Sequence, residues 1–430
     1  MSDVAVIGAG YVGLTTAACL AHLGHRVVAA DIDATRVERL NRGEIPIHED
    51  GLPELVHEGL ESGRLRFVVG ASVAIPDAEF VFLCVPTPQG DDGAADLSFV
   101  ERVVREIAEH LRPGSVVINK STMPVGSTRT VQRILSEEGA SIDEIGVASN
   151  PEFLREGTSV RDFLQASRVV VGCDNPATAV RVSELYSGVR APIVVTDPAS
   201  AEMIKYASNA FLATKISFMN AVANLCEAVG ADVNEVALGM GYDPRIGFEF
   251  LQPGPGYGGS CFPKDTAALM HTARRAEADF PLLQGVIDGN REQHDRMVAK
   301  ARRLAGGSLT GVDVGVWGLT FKANTDDVRD SPAVYIVRRL LKEGAVIRAY
   351  DPAARADAVD LAGLTRVDTA LEAAKGVDLL VVLTEWDEFR WIDITELADA
   401  VLTKRILDTR NVLDAVGLRR RGWEYEGVGR

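Results

Sequence analysis

Residues 4–14 read VAVIGAGYVGL. The run at 4–7 is apolar and β-branched, as a strand covered on both faces requires. The pattern Gly8-Ala9-Gly10-Tyr11-Val12-Gly13 follows it at once and opens a stretch of helical spacing. Strand, glycine turn and helix in that order can seat a dinucleotide. Gly8 allows the tight turn, Gly10 lets backbone amides approach a diphosphate, and Gly13 lets helix and strand pack closely. The phosphates then meet the helix N-terminus, where Tyr11 and Val12 stand. Residues 26–30 read as a second strand, and Asp31 closes it at the interval where a carboxylate bonds ribose hydroxyls and repels a 2′-phosphate. NAD is therefore expected rather than NADP, with Arg36 the one neighbour that argues the other way. A purely structural glycine turn followed by a helix-capping aspartate is the plainer alternative.

Outward from that turn, residues 80–84, 115–119 and 144–148 read as further strands separated by helical patterns. This alternation predicts a parallel sheet wound with helices on both faces. From 199 to 303 the texture becomes helical, with hardly any strand signal. Residues 310–322, TGVDVGVWGLTFK, then restore a strand followed by glycine, and 345–352, 377–384 and 405–410 supply three more strand candidates. The expected fold is α/β, with two Rossmann-like doubly wound parallel-sheet domains joined by a central helical domain, divided at 1–198, 199–303 and 304–430. Residues 253–260, PGPGYGGS, are too rich in glycine and proline to form an element, and a flexible linker is their simplest reading.

At 430 residues the chain exceeds the roughly 250–300 at which single cores stop growing, so two or three domains are needed. Hydrophobic residues at 47% and charged residues at 25% are ordinary globular values. A net charge of −16 argues against nucleic acid or an anionic membrane surface as the main partner, since both demand clustered basic residues. An anionic substrate must then be held by a few local cations. Lysine is scarce, with nine in all, and Lys205, Lys264 and Lys322 fall inside motifs. The five cysteines are odd in number and widely spread, without a CxxC pair, so neither a disulfide framework nor a metal site is indicated. The apolar start lacks a basic leader segment, and no run of about 18 apolar residues occurs elsewhere. A cytoplasmic protein is expected.

Several segments follow predicted strands and so lie at the carboxyl edge, where doubly wound sheets bind ligands. Two are Cys84-Val85-Pro86-Thr87-Pro88 and residues 121–128, STMPVGST, which contain Thr122. A proline-shaped turn with capping hydroxyls would explain them equally well. In residues 150–157, NPEFLREG, Glu152 and Glu156 are four apart. On a helix they would share a face, where crowding in a cleft raises a carboxylate's pKa and creates a proton acceptor. Exposed, they are only a solvated helix start. Lys205 and Asn209, also four apart, could offer a cation and an amide to an oxyanion, unless Lys205 merely snorkels from a helix edge.

Residues 256–265, GYGGSCFPKD, are the most informative. Cys261 follows a glycine-rich loop at an apparent helix start, where the helix N-terminus and Lys264 favour a thiolate. Asp265 lies one turn on, able to serve as a base. Cys19, Cys84, Cys173 and Cys226 read as structural thiols. In residues 320–332, Lys322 and Arg329 beside a sheet edge suit phosphate, with a solvated loop as the alternative.

In order along nearly the whole chain, GAGYVGL, CVPTP, STMPVGST, NPEFLREG, IKYASNAF, GYGGSCFPKD and FKANTDDVRDSP resemble the UDP-glucose/GDP-mannose dehydrogenase family. The resemblance implies an N-terminal NAD domain, a central domain that forms a homodimer, and a C-terminal UDP-binding domain. It implies a four-electron oxidation with two NAD per turnover, in which Cys261 carries a thiohemiacetal and then a thioester. Lys205 and Asn209 would stabilise the oxyanions, and Asp265, Thr122 and Glu152 would place water or move protons. Besides the fingerprint residues, Asp31 and Arg36, the implied NAD contacts are Pro86, Thr87, Thr122, Glu156, Lys264 and Arg329. The implied contacts with the UDP-sugar are Glu152, Phe153, Leu154 and Arg155, then Lys205, Asn209 and Lys322. The loop Phe250, Leu251, Gln252, Pro253 and Gly254 joins them with Tyr257, Gly258 and Arg410, and Arg245 would reach across the dimer. Relatives acting on N-acetylated sugars carry a histidine before the nucleophile and lack the lysine after it. Ser260, Lys264 and Gly157 therefore point to UDP-glucose, with another nucleotide sugar such as GDP-mannose as the alternative. Two rivals are a two-electron hydroxy-acid dehydrogenase, which has no catalytic cysteine, and a non-catalytic nucleotide sensor.

Overall fold

The apolar run that opens the chain forms β1 (Asp3–Ile7), which pairs in parallel with β2 (Arg26–Asp31) on one side and β4 (Phe80–Leu83) on the other. The computed structural model describes residues 1–90, 92–141, 143–355 and 357–430. Around β1 lies an eight-stranded sheet of order β3-β2-β1-β4-β5-β6-β7-β8. It is completed by β3 (Leu65–Val69), β5 (Val116–Asn119), β6 (Gly146–Ser149), β7 (Val169–Gly172) and β8 (Ile193–Thr196). Every pairing is parallel except that of β6 with β7, where Ser149 faces Gly172.

The two faces of this sheet divide by the strict alternation of a strand. Val4, Val6, Phe82 and Ile118 pack in one core with Leu14, Ala17 and Ala18 of the helix Tyr11–His22. Ala5, Ile7, Val81, Leu83 and Val117 enter another, with Val104, Ile107, Val131 and Ile134. Strands β4, β5 and β7 are buried along their whole length, which is why they are continuous apolar runs.

A second, fully parallel sheet has the order β11-β10-β9-β12-β13-β14. Its strands are β9 (Asp313–Trp317), β10 (Val346–Tyr350), β11 (Leu364–Arg366), β12 (Leu379–Val382), β13 (Arg405–Asp408) and β14 (Glu424–Glu426). The order repeats that of β1 to β6, so each sheet reverses its winding beside its first strand. Local geometry repeats too. The Gly8 amide donates to the Ala30 carbonyl at 2.8 Å, and the Gly318 amide to that of Tyr350 at 2.8 Å, with φ of +98° and +93° at the two glycines. Strands β3, β7, β8, β11 and β14 add to those expected from sequence.

The helices Pro198–Val229, Val233–Gly241, Phe262–Arg275 and Pro281–Leu304 fill the stretch expected to be helical. By compactness one unit comprises Met1–Ser208 with Ala267–Ala278, and the other Asn209–Thr266 with Asp279–Arg430. Among the described residues no helix is long and apolar enough to cross a membrane.

The loop at 253–260 is not a flexible linker. The Gly254 amide donates to Asn220 Oδ1 at 2.8 Å, and the Gly254 carbonyl accepts Gln293 Nε2 at 2.8 Å. Asn290 takes the Tyr257 amide at 2.8 Å and returns its own Nδ2 to the Tyr257 carbonyl at 3.0 Å. Side chains from the two long helices thus satisfy a buried backbone that has no ladder of its own.

Candidate active site

In the first unit the glycine turn has the geometry its sequence implies. A Cβ on Gly13 would lie 1.7 Å from the Gly8 carbonyl oxygen, so only glycine fits there. A Cβ on Gly10 would meet nothing within 4 Å. Gly10 is the N-cap of the helix Tyr11–His22, offers no side-chain cap, and is followed by no acidic residue in the first turn. Open space over an uncapped helix N-terminus fits a dinucleotide's diphosphate. Asp31 accepts the Ala9 amide at 2.9 Å and the Asp33 amide at 3.0 Å, and Arg36 lies 3.3 Å from its Oδ2. Val12 packs against the core, while Tyr11 turns its hydroxyl to the buried carboxylate of Glu49.

At the carboxyl ends of β4, β5 and β6 the structure assembles a polar cluster. Thr87, beside the exposed Pro86, donates its hydroxyl to the Thr122 carbonyl at 2.9 Å. Thr122 donates its own to Glu152 Oε1 at 3.4 Å. The ammonium of Lys205 meets the same oxygen at 2.9 Å, and the Leu154 amide donates to Oε2 at 2.7 Å. Glu152 and Lys205 are both buried, so Lys205 does not snorkel. Burial pushes the Glu152 carboxyl up, but the Lys205 charge and these donors outweigh it and hold the carboxyl below its usual range. Residues 151–155 are irregular. Glu152 and Glu156 therefore share no helix face, and the expected like-charge elevation gives way to ion pairing. Phe153 is stacked beneath the Arg168 guanidinium, 3.4 Å from its centroid, with Lys205 Nζ at 5.4 Å. Arg155 pairs with Asp162 at 2.7 Å, and Glu156 is half-buried.

The second unit holds the thiol. Cys261 precedes the helix Phe262–Arg275, and its carbonyl accepts the Asp265 amide at 2.9 Å, so it occupies the N-cap. The Asp265 carboxylate is buried, taking Asn209 Nδ2 at 2.6 Å and Lys264 Nζ at 2.5 Å. Gly258 lies so close to the next segment that a Cβ would sit 2.2 Å from the Asp330 carbonyl oxygen. Phe250 (φ +64°) and Tyr257 both stand 6.2 Å from the Phe262 ring. Arg410 donates to the carbonyls of Phe321 at 2.7 Å and Leu383 at 3.0 Å, and its guanidinium lies close over Gly254. The structure thus brings Gly254, Phe321 and Arg410 together beside Lys322, whose ammonium is 5.6 Å from the Phe321 ring. Leu251 packs its side chain into the core, leaving only its backbone for a ligand, whereas Gln252 is exposed and Pro253 buried. Arg329 pairs with Asp327 at 2.8 Å and Arg245 with Asp243 at 2.6 Å, the latter largely exposed.

Of the other thiols, Cys19, Cys84 and Cys226 are buried and Cys173 is partly so. Burial pushes Cys19 and Cys84 up to about 12. Lys205 and Asn209 stand one turn apart on the helix Pro198–Val229, about 6 Å along its axis.

The chain matches one family along its length. Residues 2–190, 199–292 and 315–415 match respectively the NAD binding, central and UDP binding domains of the UDP-glucose/GDP-mannose dehydrogenase family. The chain belongs to that family. Family relatives include the UDP-glucose 6-dehydrogenase YwqF of Bacillus subtilis, 44% identical over 100% of this chain and 98% of its own. The UDP-glucose 6-dehydrogenase of Rhizobium meliloti is also 44% identical, covering 99% of both chains. Among solved family structures, a UDP-glucose dehydrogenase from Pyrobaculum islandicum superposes with a TM-score of 0.93 at 38% identity, covering 100% of this chain and 98% of its own.

Several residues of these clusters carry no motif in the sequence. Lys120 is buried among Asn150, at 3.1 Å, and the hydroxyl and ring of Tyr186. Burial pulls its pKa down to about 8. A lysine directly after an apolar strand, in a chain with nine lysines, was the available signal. Glu202, one turn before Lys205, accepts the Gly126 amide at 2.7 Å and the Thr128 amide at 2.8 Å. Arg168 had no signal beyond its place before a strand.

Proposed function

We propose that the protein oxidises the C6 alcohol of UDP-glucose to the carboxylate of UDP-glucuronate, with Cys261 as the covalent nucleophile. The observation that carries this reading is Cys261 at the N-cap of the helix Phe262–Arg275. There the partial positive charge of the helix favours thiolate over thiol. The substrate rests on the 44% identity to two UDP-glucose 6-dehydrogenases across essentially the whole chain.

NAD, when bound at the glycine turn, supplies the hydride acceptor for each oxidation. The residues suited to hold it are the fingerprint glycines with Tyr11 and Val12, then Asp31, Arg36, Pro86, Thr87, Thr122 and Glu156, to which the family resemblance adds Lys264 and Arg329. Once the alcohol is an aldehyde, the Cys261 sulfur adds to its carbon, and the oxygen takes a proton. Further oxidation leaves a thioester; water then breaks the carbon–sulfur bond, giving the acid and the free thiolate. Covalent capture keeps the aldehyde from escaping between steps. The ammonium of Lys205, balanced by Glu152, and the second amide proton of Asn209, left over from its bond to Asp265, stabilise the oxyanions. Glu152, held below the usual carboxylate range, is a weak base on its own and serves to orient water with Thr122. Asp265, beside Lys264, orients Asn209 and receives a proton.

The UDP-sugar is held by Phe153, Leu154 and Arg155, by the loop from Phe250 to Gly254 with Tyr257 and Gly258, and by Lys322 and Arg410. The domains divide at 1–198, 199–303 and 304–430. The protein is cytoplasmic, works in polysaccharide precursor synthesis, and is a homodimer through its central helices. Phe211, Phe218, Leu225 and Val229 are exposed at spacings that keep them on one helix face, which supports a covered surface there. Arg245 then reaches the partner subunit's substrate. Counting NADH against UDP-glucose consumed tests the reaction: two are expected, and one would exclude the thioester route. Initial rates on UDP-glucose, GDP-mannose and UDP-N-acetylglucosamine test the sugar, and faster turnover of either competitor would replace it.

A further inference from the structure

Glu49 is buried and takes part in no step above. It lies in the irregular segment between the helices Ala34–Asn41 and Leu52–Glu61, yet donors from two distant segments converge on it. Its Oε2 accepts the Tyr11 hydroxyl and, at 2.8 Å, the Gly157 amide; its Oε1 accepts the Ser159 amide at 2.5 Å. Among the described residues no cation pairs with it. The Tyr11 hydroxyl also lies 3.0 Å from the Arg155 carbonyl oxygen, so its single proton is shared between that carbonyl and the carboxylate. Thr15 and Ser159 add a hydroxyl pair at 3.0 Å between the same two segments.

A buried carboxylate without a cation is costly, and a site that needed only filling would favour an apolar side chain. What the charge provides is three directional bonds to two segments with different tasks. Tyr11 begins the helix whose N-terminus faces the diphosphate. Residues 155–159 continue the stretch that carries Glu152, Phe153 and Leu154. We propose that Glu49 is a positioning residue that couples NAD binding to nucleotide-sugar binding, by clamping Tyr11 to the segment around Gly157 and Ser159. This rests on the functional reading above. A ligand that orders one segment lessens the entropy the other must lose, so each ligand strengthens the other by the same factor.

The test is a fluorescence titration of NADH with and without a saturating nucleotide sugar, using whichever sugar the wild-type enzyme turns over fastest. A wrong sugar assignment then shows in the turnover panel and leaves the binding ratio readable. Wild type should bind NADH about fivefold or more tightly with sugar present. Glu49→Gln sets an amide N–H against one of the two backbone amides, and should bring that ratio towards one while raising KM for both substrates more than it lowers kcat. Tyr11→Phe cuts only the phenol link and should lower the ratio too; Glu49→Asp should recover part of it. An unchanged ratio in folded Glu49→Gln would overturn the coupling, as would a wild-type ratio of one. Should Glu49→Gln not fold, an unchanged ratio in Tyr11→Phe decides the matter in the same way.

Discussion

The ammonium of Lys205 and the carboxylate of Glu152 are an ion pair closed off from solvent, where the two charges depend on each other more than surface partners do. Lys205→Met would leave Glu152 buried without its nearest cation, at a cost of about 3–5 kcal/mol; Lys205→Met with Glu152→Gln should recover most of that. Urea unfolding measures both, and equal stability of the single and double variants would refute the pairing account. Sequence shows Lys205 only as a lysine among apolar neighbours, and its partner, 53 positions away, belongs to a motif read for a different reason. The nearby Lys120 gives a pH signature. Burial holds its folded pKa at about 8, below the ordinary lysine value of 10.5. The unfolded chain therefore takes up its proton first, and this residue's contribution to stability is lost as pH falls from about 10.5 to about 8. Relative to Lys120→Met, wild type should lose urea resistance across that window and run parallel below it. A constant difference across the window would show that burial does not control this lysine.

Among the elements, the fingerprint helix separates packing from binding. A Cβ at Gly13 collides with the Gly8 carbonyl, whereas a Cβ at Gly10 points into open space. Gly13→Ala should destabilise the first unit by about 1–3 kcal/mol, since only a backbone shift can relieve the overlap. Gly10→Ala should keep the urea midpoint and weaken NADH binding roughly tenfold or more, the scale of one lost bond to a charged phosphate. Wild-type NADH affinity in Gly10→Ala would remove the diphosphate from this helix. This turn was legible because its glycines serve local geometry. The short edge strands were less so: β3 carries Arg66 between Leu65 and Phe67, and β8 is largely exposed, so neither forms the continuous apolar run that marks a buried parallel strand. The loop at 253–260 misled for the opposite reason, because its order comes from Asn220, Asn290 and Gln293 on helices far along the chain.

At the scale of the whole molecule, the repeated strand order divides the chain into two nucleotide-type folds joined by long helices, a plan visible in the sequence as two separate strand-then-glycine patterns. Assembly is less visible, because a helix face reads as an interface only once its exposure is known. Phe211, Phe218, Leu225 and Val229 are exposed on such a face. On the proposal of a homodimer through this face, wild type should run as a dimer by light scattering and Phe218→Glu with Leu225→Glu as a folded monomer; a monomeric wild type, or a dimer that persists in the variant, would overturn it. In the proposed reaction one thiol, that of Cys261, carries the acyl group. Product analysis of Cys261→Ser with UDP-glucose tests that claim most directly. UDP-glucuronate formation should fall by roughly a thousandfold or more, the scale on which removing a covalent nucleophile acts, with at most one NADH per sugar; acid formed at the wild-type rate with two NADH would contradict it.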